Sequence, residues 1–332
     1  MPSNRSLDAL VAAARMYYEE GRSQRDVARA LGLSESAVSR TLAAARDAGV
    51  VRIVIHDPRL LVDRVPRLEA RLEETFGLSG AWVGTGASDL GPTEIVARLG
   101  AQLFSDRLWS MRRVGLSWGS TISRLVEVIE AQPPSPDLEL LPLVGGSSEL
   151  DTAPSGTTSL YTLAQKLGVR ARRIDAPAIT ESPETCAAIL RESTVRSALD
   201  LAATADTAWA GIGSVGVPGG SSERLLAAMR LSADEVAQVR AENPAGDFCG
   251  RFFDDEGKPL VGPTSTRVIG IDFDALRAVP TVVGLAGGTG KARGVLAALR
   301  TGVIDIAVLD AELADEVLRR HAATSRATAR VR

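Results

Sequence analysis

The stretch SQRDVARALGLSESAVSRTLAAARDAGVV, residues 23–51, reads as two short helices joined by a tight turn. Ser23 and Asp26 form a capping-box variant, in which each side chain can satisfy an orphaned N–H at a helix start. Val27, Ala28 and Leu31 then fall on one face, and Gly32 supplies the turn. Ser34 can N-cap a second helix with Val38, Leu42 and Ala45 as its inward stripe. Glu35, Ser36, Ser39, Arg40 and Thr41 are left to face outward. A bracing helix followed by a capped helix with a small, polar first turn is the helix-turn-helix design, which places the second helix in the major groove. The expected DNA-contacting residues are Ser23, Gln24, Ser34, Glu35, Ser36, Ser39 and Arg40.

Upstream, residues 7–21 (LDALVAAARMYYEEG) read as a first helix completing a three-helix head, with Leu10, Ala14 and either Tyr17 or Tyr18 turned inward. Downstream, VRIVI at 51–55 alternates enough for a short strand, and Asp57-Pro58 breaks the chain. Residues 60–76 (LLVDRVPRLEARLEETF) repeat Leu61, Leu68 and Leu72 at helical spacing. They predict either a connecting helix that pairs protomers or a helix packed on its own domain. The expected organisation is therefore a head over 1–56, a connecting helix over 57–78 and a larger domain over 79–332.

From residue 79 the texture becomes that of alternating strands and helices. Short, mostly uncharged apolar runs occur at 81–83, 114–116, 138–143, 207–212, 268–271, 281–285 and 304–309. Helical patterns lie between them, at 94–108, 121–131, 160–167 and 292–300. The pattern predicts an open, Rossmann-like α/β sheet with helices on both faces. Ligands bind such sheets beyond the carboxyl ends of the strands.

Several of those strands run into glycine-rich turns. GLSWGST, residues 115–121, passes from a strand through Gly119 to Ser120 and Thr121 at a helix start, where backbone N–H groups and hydroxyls suit a phosphate. A plain capped strand-to-helix turn reads the same way. In PLVGGSS, residues 142–148, Gly145 and Gly146 allow a close backbone approach to a ligand. In GLAGGTGKA, residues 284–292, a glycine nest containing Gly288 precedes Lys291, which suits an anion. It fails as a nucleotide P-loop, because Leu285 holds the first glycine position and Ala292 replaces the magnesium-binding Ser or Thr. GIGSVG at 211–216 matches the dinucleotide fingerprint, yet Pro218-Gly219-Gly220 stands where the phosphate-binding helix would run.

Composition narrows the function. Net charge is −3 overall, yet residues 22–59 hold seven arginines against four acids, about +3, leaving the rest near −6. A locally basic segment on an acidic body fits a DNA-reading head joined to a domain with another ligand. No apolar run approaches a membrane span and the start, MPSNRSLDAL, lacks a signal-peptide core, so a cytoplasmic protein is expected. Cys186 and Cys249 lack metal-ligand spacing, and no metal or cofactor is expected. The only histidines are His56 and His321, so an enzyme on this body would lack a histidine base near its glycine turns. Asp247, Asp254 and Asp255 in GDFCGRFFDDEG suit a turn or sugar hydroxyls better than catalysis. Lysine is nearly absent, with Lys166, Lys258 and Lys291 the only three.

Taken together, AVSRTLAAARDAGVV (37–51), GLSWGST (115–121), PLVGG (142–146), GDFCGRFFD (246–254) and VVGLAGGTGKARGVLAALRTGVID (282–305) resemble the SorC family of sugar-binding transcriptional regulators, within the SorC/DeoR grouping. The resemblance spans nearly the whole chain. It implies an effector domain similar to phosphosugar isomerases that has become a sensor, commonly in a tetramer. It also implies that Gly119, Ser120, Thr121 and Lys291 hold an effector phosphate and that Asp247 holds sugar hydroxyls. Some members that sense a bisphosphate carry Arg just before the double glycine; Val144 stands there, which favours a monophosphate or smaller ligand. The expected protein is a homo-oligomeric, dimeric or tetrameric DNA-binding regulator of carbohydrate metabolism, controlled by a small phosphorylated sugar. The alternative is a sugar-phosphate isomerase or deaminase with an accessory head.

Overall fold

A computed structural model describes residues 7–51, 60–132, 137–146 and 156–331, so the expected strand at 51–55 lies almost wholly outside the described residues. The chain divides into two compact units, Met1–Pro58 and Arg59–Arg332.

The first unit holds α1 (Leu7–Ala14), which continues as one π-helical turn over Arg15–Glu19, then α2 (Gln24–Leu31) and α3 (Glu35–Asp47). Both expected caps form. Ser23 Oγ accepts the Asp26 N–H at 3.2 Å and donates to the Asp26 carboxylate at 2.6 Å. That bond, with help from Arg29, holds the Asp26 carboxyl below its ordinary value. Ser34 Oγ accepts the Ala37 N–H at 3.2 Å, and Gly32 turns the chain at φ 65°, where a side chain would be strained. Ala13, Val27, Ala28, Val38 and Leu42 bury against one another, and Leu10, Ala14 and Ala45 form a second cluster. Of the two tyrosines, Tyr17 packs on this core, while the Tyr18 hydroxyl accepts a bond from Arg46 at 2.9 Å. Thr41 does not face outward as expected. It is buried, and its hydroxyl donates to the Ala37 carbonyl one turn back, which lets a polar residue sit in the interface.

The second unit begins with β1 (Val62–Arg64), α4 (Pro66–Phe76), β2 (Gly80–Gly86), α5 (Pro92–Arg107), β3 (Arg113–Leu116), α6 (Ser120–Val128) and β4 (Glu139–Pro142). It continues through α7 (Gly156–Leu167), β5 (Arg170–Ala171), α8 (Pro183–Arg191), α9 (Ser193–Ala202), β6 (Thr207–Gly211), α10 (Ser221–Ala228) and α11 (Ala233–Ala241). The hairpin β7 (Gly246–Phe248) and β8 (Arg251–Phe253) follows, then α12 (Phe273–Ala278), β9 (Thr281–Ala286), α13 (Ala292–Arg300), β10 (Ile306–Asp310) and α14 (Ala311–Val331).

Among the described residues the main sheet has eight strands in the order β1-β2-β10-β9-β6-β3-β4-β5. All neighbours are parallel except the edge pair β1–β2. The central strands are apolar throughout because both faces are covered. Val283, Leu285, Ile306 and Val308 point into a core shared with α5, α6 and α7. The alternate residues Val282, Ala286, Ala307 and Leu309 point into a core shared with α4, α13 and α14. Trp209 of β6 is fully buried, edge-on to Phe104 of α5 at 5.3 Å between ring centroids.

Two sequence expectations are corrected here. Residues 60–76 are not one helix. Val65 lies outside the helical region at φ −116° and ψ 78°, as a residue before proline must, and the helix starts at Pro66. Residues 62–64 instead pair with β2, and Arg64 is held by a bidentate contact to Glu69 at 2.8 and 2.9 Å while stacking over Trp82. Leu68 and Leu72 lie in the core of this unit and Leu61 is exposed, so α4 packs on its own domain. Residues 268–271 form isolated bridges to Val144 and Ile179 rather than a strand. The cause is Arg251, whose guanidinium donates to the carbonyls of Ser265, Val268, Gly270 and Ile271 at 2.8–3.4 Å.

Lys166 has a structural task. Its ammonium donates to the carbonyls of Val126, Glu127 and Ile129 at 2.6–2.9 Å, closing the carboxyl end of α6. A cation there also favours the helix dipole. Lys166→Met is expected to lower stability by about 1–2 kcal/mol, because several carbonyls lose a charged donor. Urea denaturation checks this, and an unchanged midpoint would remove Lys166 from the account.

Candidate functional site

The sheet fixes the site's position. After β3 the chain moves outward to β4 and β5, then returns to place β6 on the other side of β3, so the strand order reverses between β3 and β6. Ligand crevices in open α/β sheets lie at such switch points. The turns after β3, β6 and β9 meet there with the β7–β8 hairpin and the start of α10. Together they line a narrow cleft containing Ser117, Trp118, Gly119, Ser120, Thr121, Gly211, Gly213, Ser221, Asp247, Cys249 and Lys291.

Gly119 is the N-cap of α6 at φ 114° and ψ 161°, a conformation that only glycine adopts readily, and no side chain caps the helix. The first-turn N–H groups of α6 are thus aimed at the cleft without a capping oxygen, with the helix dipole favouring an anion. Lys291 ends the turn before α13 and brings an ammonium to the same cleft. Burial holds it below the ordinary lysine value, against the opposing fields of Asp247 and Asp310. An anion arriving in the cleft would add to the fields of Asp247 and Asp310 and further favour the charged ammonium.

Asp247 is buried on β7, and its carboxylate accepts the Ser222 hydroxyl at 2.5 Å. Burial pushes this carboxyl up, while Ser222, the Gly250 N–H and Lys291 pull it down. Gly213 explains why the pair fits, since a Cβ there would overlap both the Asp247 carboxylate and the Ser222 hydroxyl. Beside it, Cys249 sits at φ 52° in the hairpin turn, and burial pushes its thiol up to about 12, so it presents a small neutral wall rather than a nucleophile.

A group whose folded pKa is raised stabilises the fold below its unfolded pKa and loses that contribution as pH rises through the folded value. Wild type should therefore lose stability relative to Asp247→Asn as pH climbs above about 4, the ordinary aspartate value. Urea midpoints across pH 4–8 measure it, and a constant difference between the two proteins would count against a buried, raised carboxyl.

Of the residues singled out from the sequence, Gly119, Ser120, Thr121, Asp247 and Lys291 come together in the cleft. Gly145, Gly146 and Gly288 do not line it, and their N–H groups are already used. Gly145 donates to Ile269, Gly146 to Ala176, and Gly288 to the Asp310 carboxylate at 2.7 Å. Gly145 is glycine for packing, since a Cβ would lie 2.6 Å from the carbonyl oxygens of Ala176 and Pro177. Ser117, Trp118, Gly213, Ser221 and Ser222 went unnoticed as site residues. The Ser-Ser pair after Pro218-Gly219-Gly220 was a readable helix-start signal. The fingerprint-like run at 211–216 does serve the cleft, without the helix a dinucleotide requires, because α10 begins only at Ser221. Asp254 and Asp255 lie outside the cleft lining. Asp254 accepts turn N–H groups from Glu256 and Lys258, and Asp255 pairs with Arg293.

On the head, Ser23, Ser34, Glu35, Ser36, Ser39 and Arg40 are exposed and Gln24 is half-buried. Arg25 reaches to 4.0 Å from Glu35, linking α2 to the start of α3.

A parallel sheet with a cleft at its switch point is the architecture of a ligand-binding α/β domain, and the helical unit before it is separate. Residues 62–319 match the family described as "Putative sugar-binding domain". The chain belongs to that family, and it is a transcriptional regulator of the SorC group. It is 28% identical to the sorbitol operon regulator of Klebsiella pneumoniae over 322 residues, covering 96% of this chain and 100% of that one. It is 25% identical to the deoxyribonucleoside regulator of Bacillus subtilis over 302 residues, covering 90% and 94%. The crystal structure of the full-length K. pneumoniae sorbitol operon regulator superposes with a TM-score of 0.68, covering 94% of this chain and 100% of that one. The protein is thus a regulator of carbohydrate-related transcription and not an enzyme.

Proposed function

We propose that the protein binds operator DNA through its head and that a small phosphorylated sugar in the cleft controls that binding. The observation that carries the effector reading is the convergence of the uncapped α6 amino terminus, the Lys291 ammonium and the Asp247 carboxylate in one cleft. The first two suit a phosphate, and the third, already a hydroxyl acceptor for Ser222, suits a sugar hydroxyl. In this reading α2 and α3 form a helix-turn-helix, with Ser34, Glu35, Ser36, Ser39 and Arg40 on the groove-facing side and Ser23 and Gln24 on the phosphate backbone. On the same reading the protein acts on DNA in the cytoplasm as a homo-oligomer, a dimer or tetramer, since paired helix-turn-helix heads read two half-sites at once.

Thermal unfolding across matched pairs of sugars and sugar phosphates tests the effector class. A true effector at about 100 times its dissociation constant adds roughly 2.7 kcal/mol. Stabilisation by a free sugar with none from its phosphate would overturn the phosphate assignment.

Arg40 is exposed on α3 and makes no ion pair among the described residues. Arg40→Ala is expected to weaken operator binding by about 1–3 kcal/mol if the guanidinium reads a base. Fluorescence anisotropy on the protein's own promoter DNA measures this, and unchanged affinity with an intact circular dichroism spectrum would sink it.

A further inference from the structure

We propose that a cavity between α10 and α11 is a second ligand site, separate from the cleft, that takes a small amphipathic carboxylate. The cavity is a groove of ≈ 520 Å³ open to solvent on one side, and it shares no lining residue with the cleft. Its size falls within the roughly 300–1,000 Å³ of small-molecule sites.

The walls are mostly apolar, with Glu223, Arg240, Asn243 and Arg293 as their polar groups. α10 turns Ser222 and Leu225 into the protein, with Met229 buried just past its end, and leaves Leu226 on an adjoining face. Leu226, Leu231 and Val239 line the space with Val215, which follows β6. Its charged groups differ in their freedom. Arg293 is neutralised by Asp255 through bonds of 2.7 and 2.9 Å, so it contributes a wall and no free charge. Glu223 accepts the Gly219 N–H at 3.3 Å, which ties it to the turn before α10. Arg240 is exposed and makes no ion pair among the described residues. An apolar chamber with an uncommitted guanidinium at its edge matches a ligand with an apolar body and one carboxylate.

The full chain is titrated by calorimetry with octanoate and with 1-octanol, which share a body and differ in charge. One octanoate is expected per chain. Ala227→Trp, which places an indole in the cavity, should abolish binding of both. Arg240→Gln changes only an exposed side chain and should weaken octanoate about tenfold while leaving 1-octanol unchanged. Melting curves show whether each variant folds, and Arg240→Gln decides alone if Ala227→Trp does not. Equal octanoate affinity in wild type and Arg240→Gln overturns the carboxylate assignment. Octanoate that fails to bind wild type at millimolar concentration overturns the site. If, in addition, Ala227→Trp splits the oligomer in sedimentation, the cavity is a seam between copies of this chain.

Discussion

Lys291→Ala is expected to cut effector affinity by about ten-fold to a hundred-fold, the equivalent of losing the roughly 1.5–3 kcal/mol of a charge-assisted bond. The side chain lies at the β9 turn in the same cleft as the amino terminus of α6, and among the described residues no other lysine or arginine lines that cleft. Effector-free operator binding should stay near normal, because the head is a separate compact unit. The variant would then occupy its operator without hearing the ligand or, if the effector is a co-activator, fail to engage it at any ligand concentration. Calorimetry with the effector identified by thermal shift decides it. A variant that binds the effector as tightly as wild type would place the phosphate elsewhere, while Asp247 and the α6 terminus would remain to be tested in their own right.

Gly294→Ala is expected to destabilise the fold at the upper end of the roughly 1–3 kcal/mol typical of overpacking, or beyond it. Gly294 sits inside α13, where helix propensity alone would favour alanine by about 1 kcal/mol. The tertiary contact reverses that sign. A Cβ would overlap the Gly213 carbonyl oxygen and lie 2.7 Å from Ser214 Cα, and its own N–H already donates to Ser214 Oγ at 3.1 Å. The atoms it would meet are the Gly213 carbonyl oxygen and Ser214 Cα of the backbone, and the Ser214 Cβ fixed directly to them. Nothing flexible can move aside. The melting temperature should fall by roughly 6 °C or more, taking about 2 °C per kcal/mol for a domain of this size. Gly80→Ala is the control, because its Cβ would meet only Ile306 at 3.8 Å or more. A stabilised Gly294→Ala would show that α13 can shift away from the turn after β6.

Much of the chain was readable locally. The caps at Ser23 and Ser34 and the turn at Gly32 depend on neighbours three residues away, and each formed where the spacing placed it. The buried strands β3, β6, β9 and β10 were readable because a parallel strand covered on both faces can hold only apolar residues. The family motifs identified both the sensor class and the residues Gly119, Ser120, Thr121, Asp247 and Lys291 that the cleft unites. The segment 60–76 misled because its leucines keep helical spacing across Pro66, although the proline and the Arg64 contacts start the helix later. The run at 268–271 misled because apolar residues favour a strand, whereas Arg251, seventeen residues earlier than Val268, claims its carbonyls.

By itself the sequence determined the caps of the first helices at Ser23 and Ser34, which strands are buried and what kind of regulator the chain is. These follow from interactions a few residues apart and from repeated patterns. Only the tertiary structure decided what each glycine is for. A missing side chain serves equally to permit a left-handed turn, as at Gly119, to let two backbones touch, as at Gly145 and Gly294, or to leave room for a buried polar pair, as at Gly213. The residue type is the same in all these cases; at Gly119 the backbone angle requires it, while at Gly145, Gly213 and Gly294 the neighbour that makes it necessary comes from a distant part of the chain.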